Sequence, residues 1–409
     1  MQARQHPIAI VLLSLAGLTA TLYLTYLHLD MFAGSWEESS LCGISRTISC
    51  EAVSASSYSA WFGVPVAWFG AVFYMFVLCL SALAWKKPDA YLKSASALIF
   101  SLAAAAVILD AYLAYIMAVK IKSLCLLCLL TYLLNLAILF LAYRASPQSV
   151  AGLLKDAVNA PGKGRGALSA AILASVVIAV VGGSGIRQAE QKLLASFDEV
   201  AYLKARANMP RQHVDTSNDP YWGAAYPVIT IVEFSDFQCP HCRRAHRVME
   251  SLLPAYQDRV KFVFKNMPLG RDCNEQVRRN FPVEFHFAAC DLARLGEAAA
   301  EQDRFWDMHD LMFELQPELP EGRRLERDEI MALAKKAGMD MERLEQSLAA
   351  NTVDAAIAAD VKEADRLGIK STPTFIINGL KIEGLPSLPV MKRLIEIELE
   401  QAQKIESAA

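Results

Sequence analysis

The chain has 409 residues, of which 54% are hydrophobic, and its formal net charge is −3 at pH 7. It is long enough for about two or three domains, and the near-neutral charge without a basic patch argues against nucleic acid as a partner. Long apolar runs dominate up to about residue 186, after which charged and apolar residues mix as in a water-soluble domain. Eight of the nine cysteines form close pairs, which are Cys42 and Cys50, Cys125 and Cys128, Cys239 and Cys242, and Cys273 and Cys290.

Five stretches of the first half are candidate membrane spans, because a helix needs about 20 apolar residues to cross a bilayer. The first lies where a signal peptide would, but its apolar core is longer and no clear cleavage site follows, so we interpret it as a retained anchor. Cys79, in the second stretch, is interpreted as a small packing residue. The predicted spans run from about 8 to 28, 61 to 84, 96 to 119, 123 to 143 and 167 to 186.

Lysines and arginines in the short loops predict the orientation of these spans, because they collect on the cytoplasmic side. They are frequent between the second and third spans and between the fourth and fifth, whereas residues 29 to 60 carry four acidic residues and one arginine. This pattern predicts a multi-pass protein of the inner membrane with a cytoplasmic N terminus. Everything after residue 186 would then be periplasmic, where disulfides persist.

Two cysteine pairs belong to the predicted membrane part. Cys42 and Cys50 lie in the outer loop, and Cys125 and Cys128 lie three positions apart in the first turn of the fourth span. At that spacing the two Cβ atoms share one face about 5–6 Å apart, which is close to the separation that a disulfide needs. Their place at the membrane edge suits thiol chemistry with a lipid-soluble oxidant such as a quinone. Cysteines used only for packing are the alternative.

The second half has the element order of a thioredoxin fold. Residues 146 to 186 are predicted as a cytoplasmic connector with the fifth span, and residues 187 to 221 as a periplasmic linker. From residue 222 to 409 the periodicity predicts a strand, a helix, a second strand, a helical insertion over about 282 to 368, a hairpin and a last helix.

The motif CPHC at residues 239 to 242 follows the first of these strands and opens the helix. A helix start stabilises a thiolate through its unpaired N–H groups and its dipole, and only the thiolate attacks a disulfide. Cys239 is therefore the predicted nucleophile, Cys242 is its partner, and His241 adds stabilisation of the anion. A stable thiolate makes the pair oxidising. Half of a four-cysteine zinc site is the alternative, but the nearest other pair is too widely spaced to match.

Cys273 and Cys290 flank the entry to the predicted helical insertion and lack both CxxC spacing and a helix start. The simplest assignment is a structural disulfide, and a third redox-active pair is the alternative. His286 and His309, in the same region, are interpreted as packing or surface residues rather than ligands.

A second short stretch of the soluble half, Ser371, Thr372 and Pro373, precedes a predicted strand. Together with CPHC it resembles the cis-proline loop of thioredoxin folds, and the soluble half resembles the DsbA-like oxidoreductases. The resemblance implies that Thr372 lies against the active-site sulfurs, beside Pro373, and helps to bind substrate backbone. It also implies that Glu233, six positions before Cys239, is a buried acid that accepts a proton. A solvated strand residue is the alternative for Glu233.

The membrane half resembles the vitamin K epoxide reductase family in its bacterial form, which is fused to a thioredoxin-like domain. The resemblance rests on the loop cysteines, the serine-containing stretch "EAVSASSYSAWFGVPVAWFG" and the stretch "KIKSLCLLCLLTYLLN". It implies a four-helix bundle over residues 1 to 145, with the fifth helix outside it. By position, Ser56 matches the family serine that borders the quinone pocket, although Ser54 and Ser57 lie beside it.

The expected fold is therefore multi-domain: an all-α membrane bundle with a fifth transmembrane helix, followed by an α/β thioredoxin fold with a helical insertion. The resemblance implies that reduced secreted proteins pass electrons to CPHC, then to the loop pair through Cys42. Cys50 then attacks Cys125, and Cys128 reduces a membrane quinone, ubiquinone or menaquinone, without a metal. A disulfide isomerase or reductase system is one alternative. A metal-handling membrane protein that uses its CxxC pairs as soft ligands is the other.

Overall fold

The structure is a computed structural model, and it describes residues 2–33, 48–56, 58–145, 148–159, 166–195, 197–320 and 322–408. Cys42, one of the predicted redox residues, lies outside the described residues. The chain divides into two compact units, Met1–Phe197 and Asp198–Ala409, and each is described by itself.

The first unit is helical, and within its described residues five helices are long and apolar enough to cross a membrane, as the sequence predicts. The helices extend beyond the predicted spans, because a helix continues into polar residues at both ends of an apolar run. They are α1 (Gln2–Ala33), α2 (Cys50–Ala55), α3 (Val66–Lys86), α4 (Pro88–Tyr115), α5 (Leu126–Ala145), α6 (Val150–Asn159) and α7 (Gly166–Leu194). A short antiparallel pair, β1 (Ala60–Trp61) and β2 (Val64–Pro65), precedes α3, and a π-helical turn (Ile116–Ile121) extends α4.

Helices α1, α3, α4 and α5 share one apolar core, with Tyr74 among its largest buried side chains. A Cβ atom at Gly17 would lie 2.2 Å from the Tyr74 ring, so glycine lets α1 approach α3 at this point. The Tyr74 hydroxyl donates a hydrogen bond of 3.0 Å to the carbonyl of Thr131 on α5. Because a buried hydroxyl needs a partner, this bond fixes α3 against α5.

Helix α7, the fifth apolar helix, packs on α3 through a second close approach. A Cβ atom at Gly182 would lie 2.2 Å from the Trp68 ring, so the indole occupies the space that a side chain would take. The indole N–H of Trp68 donates to the carbonyl of Ala179 at 3.3 Å. Small residues allow such close packing between membrane helices.

The loop before α5 runs beside the segment that leads into α2. Lys122 adopts a left-handed conformation, with φ of 55°, and ends the π-helical turn. The N–H of Ser49 then donates to the carbonyl of Leu124 at 3.0 Å, and the Ser49 hydroxyl caps α2 by accepting the N–H of Ala52. These bonds bring the first residue of α2, Cys50, to the start of α5.

The second unit is a five-stranded mixed sheet with helices around it. Its strands are β3 (Tyr221–Gly223), β4 (Ile229–Ser235), β5 (Val260–Asn266), β6 (Thr374–Ile377) and β7 (Leu380–Glu383), in the spatial order β3-β5-β4-β6-β7. Strands β4 and β5 are parallel, and the other neighbours are antiparallel. The helices are α8 (Glu199–Asn208), α9 (Pro240–Leu252), α10 (Glu275–Asn280), α11 (Ala289–Ala300), α12 (Phe305–Leu315), α13 (Arg327–Lys336), α14 (Met341–Ala349), α15 (Asn351–Arg366) and α16 (Leu388–Ala408).

This order of strands and helices confirms the predicted thioredoxin-like fold, with two differences from the sequence pattern. Strand β3 begins at the last residue of the stretch that we predicted as a linker, Tyr221, and it pairs with β5 at the sheet edge. Residues 281–288, inside the predicted helical insertion, form an irregular segment between α10 and α11. The insertion packs around Phe237, whose ring lies 4.9 Å from that of Phe264 on β5 and 5.1 Å from that of Phe313 on α12.

Candidate active site

Strand β4 and helix α9 position the CPHC motif. The strand ends at Ser235, and Cys239 is the N-cap residue of α9, with Pro240 at the first helical position. Proline suits this position because its fixed φ matches the helix and its missing N–H has no helical partner. The thiol of Cys239 is 5% exposed, whereas Cys242, one turn into the helix, is fully buried. Both are free thiols in this structure.

The two thiols of this motif differ in acidity. A hydrogen bond from Cys242 and a further one from Thr372 outweigh the effect of burial and lower the pKa of Cys239 to about 6. Burial, together with the hydrogen bond to Cys239, raises the pKa of Cys242 well above its ordinary value. These pKa shifts favour a thiolate at Cys239 and a thiol at Cys242 at neutral pH, and the assignment of nucleophile and partner stays a prediction.

The proline loop lies next to the reactive sulfur. The peptide bond between Thr372 and Pro373 is cis, and the Sγ atom of Cys239 lies 3.7 Å from the carbonyl oxygen of Thr372. Strand β6 begins directly after this loop and pairs with β4. The sheet thus brings together two segments that are 133 residues apart in sequence.

Glu233 lies on β4 with its side chain in the core, 2% exposed, which excludes the alternative of a solvated strand residue. Burial raises the pKa of its carboxyl group to about 8, and the charge of Cys239 acts in the same direction. The same carboxyl group contributes to the raised pKa of Cys242. Glu233 is therefore a protonated acid at neutral pH within electrostatic reach of both thiols.

His241 projects into solvent from the first turn of α9, and its Nδ1 atom lies 2.8 Å from the guanidinium of Arg244. The groups that lower the pKa of Cys239 are Cys242 and Thr372 rather than this imidazole. His286, which we interpreted as a packing or surface residue, contacts the loop before Cys239 instead, through the carboxylate of Asp236. Sequence spacing gave no signal for this contact, which joins residues 50 positions apart.

Cys273 and Cys290 are joined by a disulfide with an S–S distance of 2.13 Å. Cys290 is in the first turn of α11, and Cys273 lies just before α10. The bridge therefore closes the base of the irregular segment 281–288.

The second cysteine cluster lies in the first unit, where α2 meets α5. Cys50 is disulfide-bonded, and its Sγ atom lies 2.8 Å from the Sγ atom of Cys125. The N–H of Cys128 donates to the Cys125 sulfur at 3.3 Å. Cys125 and Cys128 are both free thiols. The structure thus places a disulfide sulfur in contact with the first thiol of the membrane CxxC pair.

A cavity of about 350 Å³ adjoins this cluster and is lined by Cys128. Ser56 also lines it and donates its hydroxyl hydrogen bond to the carbonyl of Val53 at 2.8 Å. Most of the remaining wall is aliphatic or aromatic. The other wall side chains with polar atoms are those of Thr21, His28, Ser54, Tyr58, Ser59, Trp61, Tyr74, Asp110, Thr131, Tyr132 and Asn135.

Two polar pairs around this cavity escaped our sequence analysis. Asn135 donates to the carboxylate of Asp110 at 2.8 Å. His28 on α1 contacts the carbonyl of Ser54 through Nδ1 at 3.1 Å and the carboxyl of Glu190 on α7 through Nε2 at 2.9 Å. An ionisable residue within an apolar span is a signal of function, and that signal could have identified Asp110 and His28.

Comparison with known proteins gives two domain matches. Residues 8–143 match the family model described as "Vitamin K epoxide reductase family", and residues 215–397 match the one described as "Thioredoxin". The oxidised BdbD of Bacillus subtilis is a similar solved structure, with 24% identity and a TM-score of 0.39 over 46% of this chain and 97% of that chain. Another is α-DsbA1 of Wolbachia pipientis, with 19% identity and a TM-score of 0.40 over 46% of this chain and 94% of that chain.

Curated relatives give a partial match. The chain is 33% identical over 171 residues to "Na(+)/H(+) antiporter NhaA 3" of Salinispora tropica, which is 42% of this chain and 23% of that protein. It thus spans about a quarter of the length of the first curated relatives that it matches. Each of the two matched regions contains a CxxC pair. The chain thus contains a region that matches the vitamin K epoxide reductase family model, followed by a region that matches the thioredoxin model.

Proposed function

We propose that this protein forms disulfides in secreted proteins and transfers the electrons to a membrane quinone. Reduced client proteins give their electrons to the pair Cys239 and Cys242. The electrons then pass to the loop pair, Cys42 and Cys50, and from there to Cys125 and Cys128. Each transfer is a thiolate attack on a disulfide through a mixed-disulfide intermediate.

The contact between Cys50 and Cys125 carries this proposal. A sulfur–sulfur distance of 2.8 Å is within reach of exchange between a disulfide and a thiol without rearrangement of either helix. Cys128 then faces the cavity. The proposed pathway therefore passes from Cys50 to Cys125, then to Cys128 and the cavity. It leads from the loop cysteines to an apolar space, where a lipid-soluble electron acceptor can bind.

The chemistry of the CPHC pair supports the oxidising direction. A disulfide whose reduced form contains a stable thiolate is readily reduced and is therefore a good oxidant. The low pKa of Cys239, about 6, gives such a thiolate at neutral pH. Thr372, whose carbonyl oxygen lies 3.7 Å from the Cys239 sulfur, is the residue that we expect to help bind the backbone of a client.

The cavity beside Cys128 fits a quinone as the electron-accepting substrate. Small-molecule sites are mostly apolar, with a few polar groups and volumes of about 300–1,000 Å³, and this cavity of about 350 Å³ has that character. Asn135, whose amide nitrogen has a second N–H beyond the one donated to Asp110, offers a donor to a carbonyl oxygen of a quinone ring, and Ser56 borders the same space. A bound quinone, ubiquinone or menaquinone, accepts two electrons and two protons.

The five apolar helices set the proposed topology. An odd number of spans places the N terminus and the thioredoxin-like unit on opposite sides, and the loop charges favour a cytoplasmic N terminus. The thioredoxin-like unit then faces the periplasm. Its attachment to α7 raises its effective concentration near the loop pair to about the millimolar range.

The proposal is tested by anaerobic quinone reduction with the purified full-length protein and a reduced, unfolded client. Wild type is expected to reduce quinone, and both Cys128→Ala and Cys239→Ala are expected to fail. Cys79→Ala, which removes a cysteine outside the proposed pathway, is the matched control and should retain activity. Full activity of Cys239→Ala with the client would exclude the thioredoxin-like unit from the pathway.

A further inference from the structure

The irregular segment 281–288 is fastened to the loop that precedes Cys239. His286 donates from Nδ1 to the carboxylate of Asp236 at 2.6 Å, and the N–H of Ala288 donates to the side-chain carbonyl of Gln238 at 2.9 Å. Asp236 lies three positions before Cys239 in the chain, and Gln238 directly precedes it. Two hydrogen bonds therefore join this segment to the residues that position the reactive sulfur.

The carboxylate of Asp236 belongs to the loop that precedes Cys239, whose sulfur reacts as a thiolate. Its side chain is buried, and its carboxylate accepts the N–H groups of Gln238 at 2.7 Å and Leu269 at 2.9 Å in addition to His286. Its own carbonyl accepts the N–H of Cys239 at 3.0 Å. A nearby negative charge disfavours a thiolate, and the charge of Asp236 accordingly acts to raise the pKa of Cys239.

His286 is the positive group that faces this carboxylate. Burial lowers the pKa of His286, but the hydrogen bond and the charge of Asp236 outweigh it and raise the pKa above its ordinary value. The charges of Cys239 and Glu284 act in the same direction. The side chain is 16% exposed, so the imidazole lies at the surface beside the active site rather than in the core.

The surrounding chain holds His286 in this place. The Cys273–Cys290 disulfide closes the base of the segment. A Cβ atom at Gly270 would lie 2.7 Å from the Cys290 sulfur, so glycine permits the close approach of the strand β5 exit loop. The N–H of Arg271 donates to both carboxylate oxygens of Glu284, at 3.0 and 3.1 Å. Because these contacts fix the segment, the imidazolium of His286 stays at one position relative to Asp236.

We propose that His286 is the counter-charge that cancels Asp236 and thereby stabilises the Cys239 thiolate, so that the oxidising strength of the CPHC pair depends on this imidazolium. His286 is a positioning residue, because it acts on Cys239 through the field at Asp236. The consequence for catalysis rests on the proposed function, whereas the effect on the thiol does not.

The role of the imidazolium follows from the exchange reaction. A client thiolate attacks Cys239 in the disulfide form, a bond forms between the client and Cys239, and Cys242 leaves with the electron pair and takes up a proton. A second client thiolate then attacks the client sulfur, and Cys239 leaves as a thiolate while the client disulfide forms. His286 stabilises that leaving thiolate and transfers no proton itself.

The test measures the thiolate directly in the full-length protein. The protein is reduced with glutathione, and the rate at which iodoacetamide modifies Cys239 is followed against pH by peptide mass spectrometry. In His286→Gln the rate at pH 6 is expected to fall about 3- to 10-fold, because the unbalanced charge of Asp236 raises the pKa of Cys239. His213→Gln, which alters an exposed histidine outside the site, should match wild type, and so should His286→Arg, which keeps the positive charge.

A double variant separates charge from structure. If His286 acts through charge, Asp236→Asn combined with His286→Gln restores the Cys239 rate, because neither charge remains. An unchanged rate in His286→Gln, or a double variant as slow as the single one, would overturn the inference. Should His286→Gln fail to fold, a Cys239 rate in His286→Arg below that of wild type overturns it equally. Quinone reduction is measured in a separate assay. If wild type does not reduce quinone but His286→Gln shifts the pH profile of Cys239 alkylation, the proposed function fails and this inference holds.

Discussion

Replacement of the buried acid Glu233 by glutamine tests the electrostatics of the site. The pKa of its carboxyl group rises from 4.5 to about 8 on burial. Because the folded state holds this proton more tightly than the unfolded state, stability falls as pH rises from about 4.5 to about 8 and is constant above that. The glutamine side chain has a similar shape and does not titrate, so it removes this pH dependence.

The magnitude follows from the size of the shift. A shift of 3.5 units, from 4.5 to about 8, corresponds to about 5 kcal/mol in total, since one unit equals about 1.4 kcal/mol. Between pH 5 and pH 7 the change in the free energy of unfolding is about 2–3 kcal/mol. Wild type is expected to lose this amount of unfolding free energy from pH 5 to pH 7, whereas Glu233→Gln should not. The unfolding free energy of the variant relative to wild type therefore increases by the same amount over this pH range.

Hydrogen exchange of the β4 and β6 amides, followed by mass spectrometry on the reduced full-length protein, measures this difference in the second unit alone. The free energy of opening of these strands is compared between wild type and variant at pH 5 and pH 7. Glu318→Gln, at an exposed glutamate, is the control and should follow wild type at both pH values. Equal pH dependence in wild type and Glu233→Gln would refute the reasoning from burial.

Two further predictions concern the reactive thiol and the fifth apolar helix. Alkylation of reduced wild type should be half-maximal at about pH 6 at Cys239 and should be absent at the buried partner cysteine, which peptide mapping across pH 4 to 9 would measure; equal labelling of both would contradict the assigned acidities. Gly182→Leu should lower the Tm of the protein in detergent, because a Cβ atom there meets the Trp68 ring at 2.2 Å. Gly185→Leu, where nothing lies within 4 Å of an added Cβ atom, should leave the Tm unchanged, and equal loss in both variants would show that the close packing is not the cause.

Part of the candidate site could be predicted from sequence because its signals are local. The CPHC motif, the strand before it and the membrane CxxC pair are contiguous stretches, and a helix start follows from the residues around it. Pairing of Cys273 with Cys290 remained a simplest assignment, since spacing alone does not fix which cysteines meet. Ser56 is a position carried over by resemblance, and its place in the cavity wall depends on the packing of four helices.

Features that depend on neighbouring residues were predictable from the sequence: long apolar helices, a thioredoxin-like order of strands and helices, and a CxxC cysteine at a helix start. Which distant residues meet became visible in the folded structure alone. It placed Cys50 against Cys125, 75 positions away, His286 against Asp236, and Glu190 of α7 against His28 of α1. Hydrophobic periodicity indicates which face of a helix or strand is buried. It does not specify which other helix or strand packs on that face, so it does not predict contacts between distant residues.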